Sequence, residues 1–146
     1  MKRFLLDKKI YLWTLVYVFV TVLMHWRLHF DVIIGFYILG IAIGLHLLEI
    51  IETILKFSQS PFRTVLAQAI VTVMTLFVLT SSRFPLGKGV VLALNLRYLF
   101  LQFKELQINH NLDSWFAGIN LNIKNQTYIY IVYSVFLFET LLFVII

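Results

Sequence analysis

Residues 127–146 read TYIYIVYSVFLFETLLFVII and contain a single formal charge, on Glu139. A helix needs about 20 predominantly apolar residues to cross the hydrocarbon core of a bilayer, because each residue adds about 1.5 Å. This stretch therefore predicts a transmembrane helix. Three windows of the same kind precede it, at residues 10–28, 32–55 and 64–82.

The composition of the whole chain agrees with this prediction. Of its 146 residues, 61% are hydrophobic and 13% are charged, whereas soluble domains average about 45–50% and about 25%. A soluble globule of this size keeps a large share of its surface in water, so a soluble monomeric enzyme and a free-standing nucleic-acid binder are excluded. The chain has no cysteine, which excludes disulfides and cysteine-ligated metals. We expect the lipid bilayer as its environment, with no nucleic acid and no cofactor.

A fifth window, residues 88–106, is open to two interpretations. Polar side chains recur on one stripe of its helical wheel, and Arg97 lies further round. The stripe consists of Asn95, Tyr98, Gln102 and Glu105. This pattern is typical of an interfacial amphipathic helix, or of a spanning helix whose polar side faces its neighbours.

The distribution of basic residues favours a fifth span, because short cytoplasmic loops collect Lys and Arg. With the N-terminus inside and five spans, eight basic residues lie inside: Lys2, Arg3, Lys8, Lys9, Lys56, Arg63, Lys104 and Lys124. Three lie outside, namely Arg27, Arg83 and Lys88, and Arg97 lies within the membrane. With four spans and a flat fifth helix outside, the division is six against six. The sequence thus predicts one all-α domain over residues 1–146, a five-span helix bundle in the plasma membrane; four spans plus an interfacial helix is the alternative.

Two segments 49 residues apart resemble each other and indicate a duplicated helical hairpin followed by one C-terminal helix. Gly40-x-x-x-Gly44-Leu45-His46-Leu47 matches Gly89-x-x-x-Ala93-Leu94-Asn95-Leu96. Small residues four apart let a second helix approach closely. Gly40 and Gly44 therefore predict a packing seam, either within the chain or between two copies of it.

The connections are short except for a polar loop at residues 107–126. Pro61 and the serines before it predict a tight connection, with Ser58 or Ser60 capping the third helix. Residues 85–89, PLGKG, predict a second turn because they combine one proline with two glycines.

Four ionisable residues fall inside the predicted spans: His46, Glu49, Arg97 and Glu139. Charges in hydrocarbon normally face a partner or water. Glu49 and His46 lie one turn apart, which fits a shared proton or a metal ion as well as a hydrogen-bonded clasp, with Arg97 as the expected partner of Glu49. Glu139 is either hydrogen-bonded to a neighbouring helix or part of a site that handles protons or cations.

His25 and His29 are four residues apart, near Asp31, a spacing at which two imidazoles on a helix face bind a divalent metal. The same residues flank Trp26 and Arg27 at the expected membrane interface, so interface anchoring is the favoured interpretation and the metal site the weaker one.

Two main classes of function remain. The first is a small integral membrane protein of structural, assembly or partner-binding type, acting on itself as a homo-oligomer or on another membrane protein. The second is a subunit of an oligomeric ion- or proton-coupled transporter or channel built around His46, Glu49, Arg97 and Glu139. A membrane-embedded metal-dependent hydrolase is a weaker third candidate, since no catalytic motif is present. We favour the first class.

Overall fold

A computed structural model describes residues 8–27, 29, 31–56, 61–119 and 123–146. Within them the chain is 82% helical, with no strand, so the predicted all-α class is confirmed. The helices are α1 (Lys8–Trp26), α2 (Val32–Leu55), α3 (Val65–Ser81), α4 (Pro85–Asn109) and α5 (Asn125–Ile145). α1, α2 and α5 are long and apolar enough to cross a membrane, and α3 is a shorter apolar helix of 17 residues.

Side-chain caps define the starts of α2 and α3. Asp31 Oδ1 accepts a hydrogen bond of 2.7 Å from the Val32 amide, and Thr64 Oγ1 accepts one of 3.2 Å from Ala67. The cap predicted for α3 was Ser58 or Ser60, which lie outside the described residues, and Thr64 occupies the N-cap position instead. A threonine directly before the first helical residue satisfies a free amide of the first turn.

The turn predicted at residues 85–89 is wrong, because these residues form the first part of α4. Pro85 is compatible with this position, since the first turn of a helix needs no amide donor there. Gly89 serves close packing, because a Cβ on it would overlap the carbonyl oxygen of Tyr37. α4 also continues to Asn109 and α5 begins at Asn125, so the polar loop is shorter than predicted.

α2 and α4 lie side by side and run in the same direction. A Cβ on Gly40 would overlap the backbone of Leu86, and one on Gly44 would lie 2.8 Å from the Cβ of Ala93. Further along the pair, Glu49 meets Arg97. The seam of small residues is therefore formed within one chain, between the two segments that resemble each other.

α4 is the central helix, with α1, α2, α3 and α5 all in contact with it. No residue from Pro85 to Gln102 is exposed. α3 runs antiparallel to α4, because Gln68 meets Gln102 and Thr75 meets Asn95. α5 does so as well, because Tyr128 meets Gln102 and Glu139 meets Asn95. α1 runs antiparallel to α2. One end of the protein thus collects the starts of α1, α3 and α5 together with the ends of α2 and α4.

The outer surface is far more apolar than that of a soluble protein, and several polar side chains are buried beside the apolar core. The buried polar side chains are Thr14, Thr21, Gln68, Thr75, Asn95, Arg97, Gln102 and Glu139. Large apolar side chains cover the outside; Leu12, Trp13 and Phe77, for example, are each more than 60% exposed. Soluble proteins rarely expose contiguous apolar surface on this scale, so the arrangement is compatible with a membrane protein.

Candidate functional site

The ion pair between Glu49 and Arg97 joins α2 to α4. Arg97 donates through Nη2 to Glu49 Oε1. The side chain of Glu49 is 14% exposed and that of Arg97 is 6% exposed. Glu49 Oε2 and Arg97 Nε are buried without a hydrogen-bond partner among the described residues. The expected pairing of these two residues is confirmed. The pair uses one oxygen of Glu49 and joins α2 to α4.

A second ion pair lies nearer the end of the same helix. Arg63 donates from Nε and Nη2 to the two carboxylate oxygens of Glu52, at 2.9 and 2.8 Å. This forked geometry is the strongest arrangement available to a guanidinium and a carboxylate. The hydrogen bonds that Arg63 donates to Glu52 raise the pKa of Arg63 above its ordinary value. The pair fastens the α2–α3 connection to α2.

A polar network connects α4 to α3 and α5 on its other side. Asn95 Nδ2 lies 2.8 Å from Thr75 Oγ1 and 2.9 Å from Glu139 Oε2, and all three residues are at most 4% exposed. Glu139 Oε1 has no hydrogen-bond partner among the described residues. Glu139 is therefore held by one amide, and only one of its two oxygens is used.

Two amides and a phenol form a second network, about two helical turns further along α4. Gln102 donates to Gln68 Oε1 at 2.5 Å and to the Tyr128 hydroxyl at 3.3 Å, and that hydroxyl donates to Gln68. Gln68 and Gln102 are at most 3% exposed. The three groups satisfy one another, which fixes the spacing of α3, α4 and α5 at this end.

The loop after α4 is clamped to the start of α3. Trp115, 1% exposed, donates from Nε1 to Glu105 at 2.6 Å, and Ser114 donates to the other oxygen of Glu105. The carbonyl of Trp115 accepts a hydrogen bond of 3.0 Å from the Val65 amide. These hydrogen bonds tie the described part of the loop to both α4 and α3.

A groove of about 290 Å³ opens between α3 and α5, with α4 as its floor. Its walls are mainly apolar, among them Ala69, Val73 and Val135. The polar part of the lining consists of Gln68, Thr72, Asn95, Tyr128 and Glu139. Of these, only Glu139 has a buried oxygen without a partner in the described part of the chain.

The histidines predicted as weak metal candidates lie apart. α1 ends at Trp26 and Arg27 is left-handed, so His25 and His29 do not share a helix face as their spacing predicted. His25 stacks on Phe143, with ring centroids 4.7 Å apart. Asp31 caps α2. Within the described residues no three His, Asp or Glu side chains cluster as metal ligands do.

The predicted polar residues divide between two sides of α4. Glu49 and Arg97 lie on the α2 side, and the His46 ring packs near Tyr11 of α1, with ring centroids 6.1 Å apart. Glu139 lies on the α3–α5 side. Asn95 and Arg97 are two residues apart, so they point about 200° apart around α4. The structure therefore does not gather these groups around one path.

Several residues of the networks were missed by the sequence analysis. Gln68, Thr75 and Tyr128 are single polar groups within apolar stretches, and no periodic pattern distinguishes them from exposed ones. Glu105 belonged to the recognised stripe of α4, but its partner Trp115 was assigned only to a loop. The spacing of polar residues within one segment does not reveal which residue of a distant segment it contacts.

Comparison of the chain with known protein families, curated proteins and solved structures found no match.

Proposed function

We propose that this chain is a small integral membrane protein of structural or assembly type, with five membrane spans and its N-terminus in the cytoplasm. Its apolar outer surface and buried polar side chains support immersion in lipid. A bilayer offers no water to satisfy polar groups, so spanning helices turn them towards each other.

The central position of α4 supports the fifth span. Its 25 residues extend about 37 Å at 1.5 Å per residue, longer than the hydrocarbon core of about 30 Å. Its polar stripe faces the neighbouring helices, whereas an interfacial helix would turn that stripe to water. α3, with 17 residues, is at the lower limit of about 17–25 residues for a spanning helix.

The directions of the helices support the proposed orientation. Each helix runs opposite to the one before it, as successive spans do. Among the described residues, six basic side chains belong to the end that holds the loop after α4: Lys8, Lys9, Lys56, Arg63, Lys104 and Lys124. Arg27, Arg83 and Lys88 belong to the opposite end. This excess favours the first end as cytoplasmic.

The main support for a structural role is the pairing of polar groups on two separate sides of α4. Glu49 binds Arg97 on one side, and Glu139 binds Asn95 on the other. Each contact joins two helices, whereas a transport path requires groups that face a shared aqueous route. The polar groups therefore serve mainly to associate helices, and the protein acts on partners or on further copies through its outer surface.

Reconstitution in vesicles tests this proposal against a transporter subunit, the second candidate. Glu139 favours the second candidate, because one of its oxygens is unpartnered beside a groove. We expect the purified chain to carry no proton or cation flux above that of protein-free vesicles under an imposed pH gradient. A flux that is lost in Glu49→Gln or Glu139→Gln would contradict the structural role.

The assembly part of the proposal needs a separate measurement. Fluorescently labelled chains at low density in a bilayer are counted by single-molecule photobleaching, alone and after addition of solubilised membranes of the source cell. We expect a defined complex of more than one chain, or a defined complex with another membrane protein. A chain that remains single and freely diffusing in both conditions would contradict an assembly role.

A further inference from the structure

The groove between α3 and α5 combines an apolar wall with one unsatisfied polar group. Glu139 lines it and is 1% exposed. Its Oε2 accepts a hydrogen bond from Asn95, and its Oε1 is buried without a partner among the described residues. A buried polar atom without a hydrogen bond is unfavourable, so a ligand that supplies one is favoured at this position.

The groove has the size of a small-molecule site. An engineered cavity of about 150 Å³ binds benzene, and this groove has about twice that volume, 290 Å³. It extends from Val65 to Val73 along α3, which is about 12 Å at 1.5 Å per residue. An apolar body of that length fits along walls formed by residues such as Ile131 and Val135.

Three other polar residues of the lining are engaged within the protein. Gln68 and Tyr128 are hydrogen-bonded to each other and to Gln102, and Asn95 Nδ2 is shared between Thr75 and Glu139. Thr72 also lines the groove but is only partly buried, so among the described residues Glu139 Oε1 is the buried atom of the lining that lacks a partner.

We propose that this groove binds a lipid-soluble alcohol, with its hydroxyl group on Glu139 Oε1 and its apolar body along α3 and α5. A hydroxyl group donates to an ionised carboxylate and accepts from a neutral carboxylic acid, so it satisfies Oε1 in either state. A plain hydrocarbon leaves the oxygen unpaired, and a cation has to enter the hydrocarbon at a larger cost. This binding site is additional to the proposed structural role. Its occupancy can be measured independently of ion flux and of assembly.

Photolabelling of the full chain in phosphatidylcholine vesicles tests the proposal. The probe is a twelve-carbon primary alcohol with a diazirine in mid-chain, and the control probe is the twelve-carbon alkane with the same diazirine. We expect the alcohol to label the groove residues of α3 and α5 about fivefold more than the alkane, which corresponds to one hydrogen bond of about 1 kcal/mol. Both probes should label the outer face of α1 equally.

Matched variants connect the labelling to the groove. Ala69→Phe fills the groove from an exposed position, and Leu66→Phe adds a ring three residues earlier, also at an exposed position but outside the lining. The first should abolish the excess labelling by the alcohol and the second should retain it. Glu139→Gln keeps a hydrogen-bonding group and should retain the excess, whereas Glu139→Leu should remove it.

Three results would overturn the proposal: equal labelling of the groove by both probes, an excess that persists in Ala69→Phe, or an excess that persists in a folded Glu139→Leu. If Glu139→Leu does not fold, the pair of phenylalanine variants decides alone, because both substitutions are at exposed positions.

Discussion

At the scale of single residues, Glu49 and Arg97 neutralise each other between two apolar helices. Glu49→Gln would leave the Arg97 charge buried and unpaired, for which we expect a loss of about 3–5 kcal/mol in the free energy of unfolding. Removal of the second charge as well, in Glu49→Gln combined with Arg97→Gln, should recover part of that loss. The measurement is equilibrium unfolding in mixed micelles with increasing denaturing detergent.

The control for this prediction is Glu52→Gln, which breaks the other ion pair. The side chain of Arg63 is 42% exposed and keeps its hydration, so we expect a loss of at most about 1 kcal/mol. Equal losses for the two glutamate variants would show that burial does not distinguish the pairs.

The sequence predicted which residues are charged or polar inside the spans better than it predicted their partners. The single charge of its apolar stretch identified Glu139, and the stripe on α4 identified Asn95 and Gln102. Periodicity reports which face of a helix a residue occupies. It does not report which residue of another helix lies opposite, so the contacts of Asn95 with Thr75 and Glu139 were not predicted.

At the scale of elements, the contact between α2 and α4 depends on glycine. We expect Gly40→Ala to destabilise the protein by about 1–3 kcal/mol, because its Cβ would overlap the backbone of Leu86 and the helices must move apart. Gly35→Ala is the matched control on α2, since a Cβ there meets nothing within 4 Å. It should be neutral or stabilising by up to about 1 kcal/mol. The same detergent unfolding measures both, and similar effects would contradict the seam.

The loop after α4 gives a second prediction for an element. Trp115→Phe removes the indole donor to Glu105 while it keeps an aromatic ring, so we expect a loss of about 1.5–3 kcal/mol, typical of a hydrogen bond to a charged group. Trp13→Phe is the control, because Trp13 is 61% exposed on the outside of α1. Circular dichroism during detergent unfolding measures both variants. If Trp115→Phe loses no more stability than Trp13→Phe, the hydrogen bond between Trp115 and Glu105 does not hold the loop in place.

The helices were largely predictable because apolar length and turn residues mark them. The bounds of α2 agree with the prediction to the residue, and those of α3 and α5 to within two residues. The start of α4 was not predictable by the same reasoning. Proline and glycine were interpreted as turn residues, whereas here proline begins a helix and Gly89 allows close contact with Tyr37.

At the scale of the whole molecule, the apolar outer surface connects composition to architecture. Apolar side chains fill the core and also cover the outside, while the buried polar groups join helices within. Composition together with the length of the apolar windows was sufficient to predict an apolar helical protein. The central position of α4 could not be predicted, because its polar stripe fits an interfacial helix equally well until the neighbouring helices are known.

The proposed topology has five helices across the membrane and the N-terminus in the cytoplasm, and it is tested at the two connections that flank α4. The chain has no cysteine, so single cysteines report topology without background. Arg83→Cys and Asp113→Cys place exposed thiols before and after α4. The reagent is a membrane-impermeant maleimide applied to intact expressing cells. With five spans, we expect it to label Arg83→Cys directly, and to label Asp113→Cys only after the membrane is permeabilised. Labelling of Asp113→Cys in intact cells would contradict it.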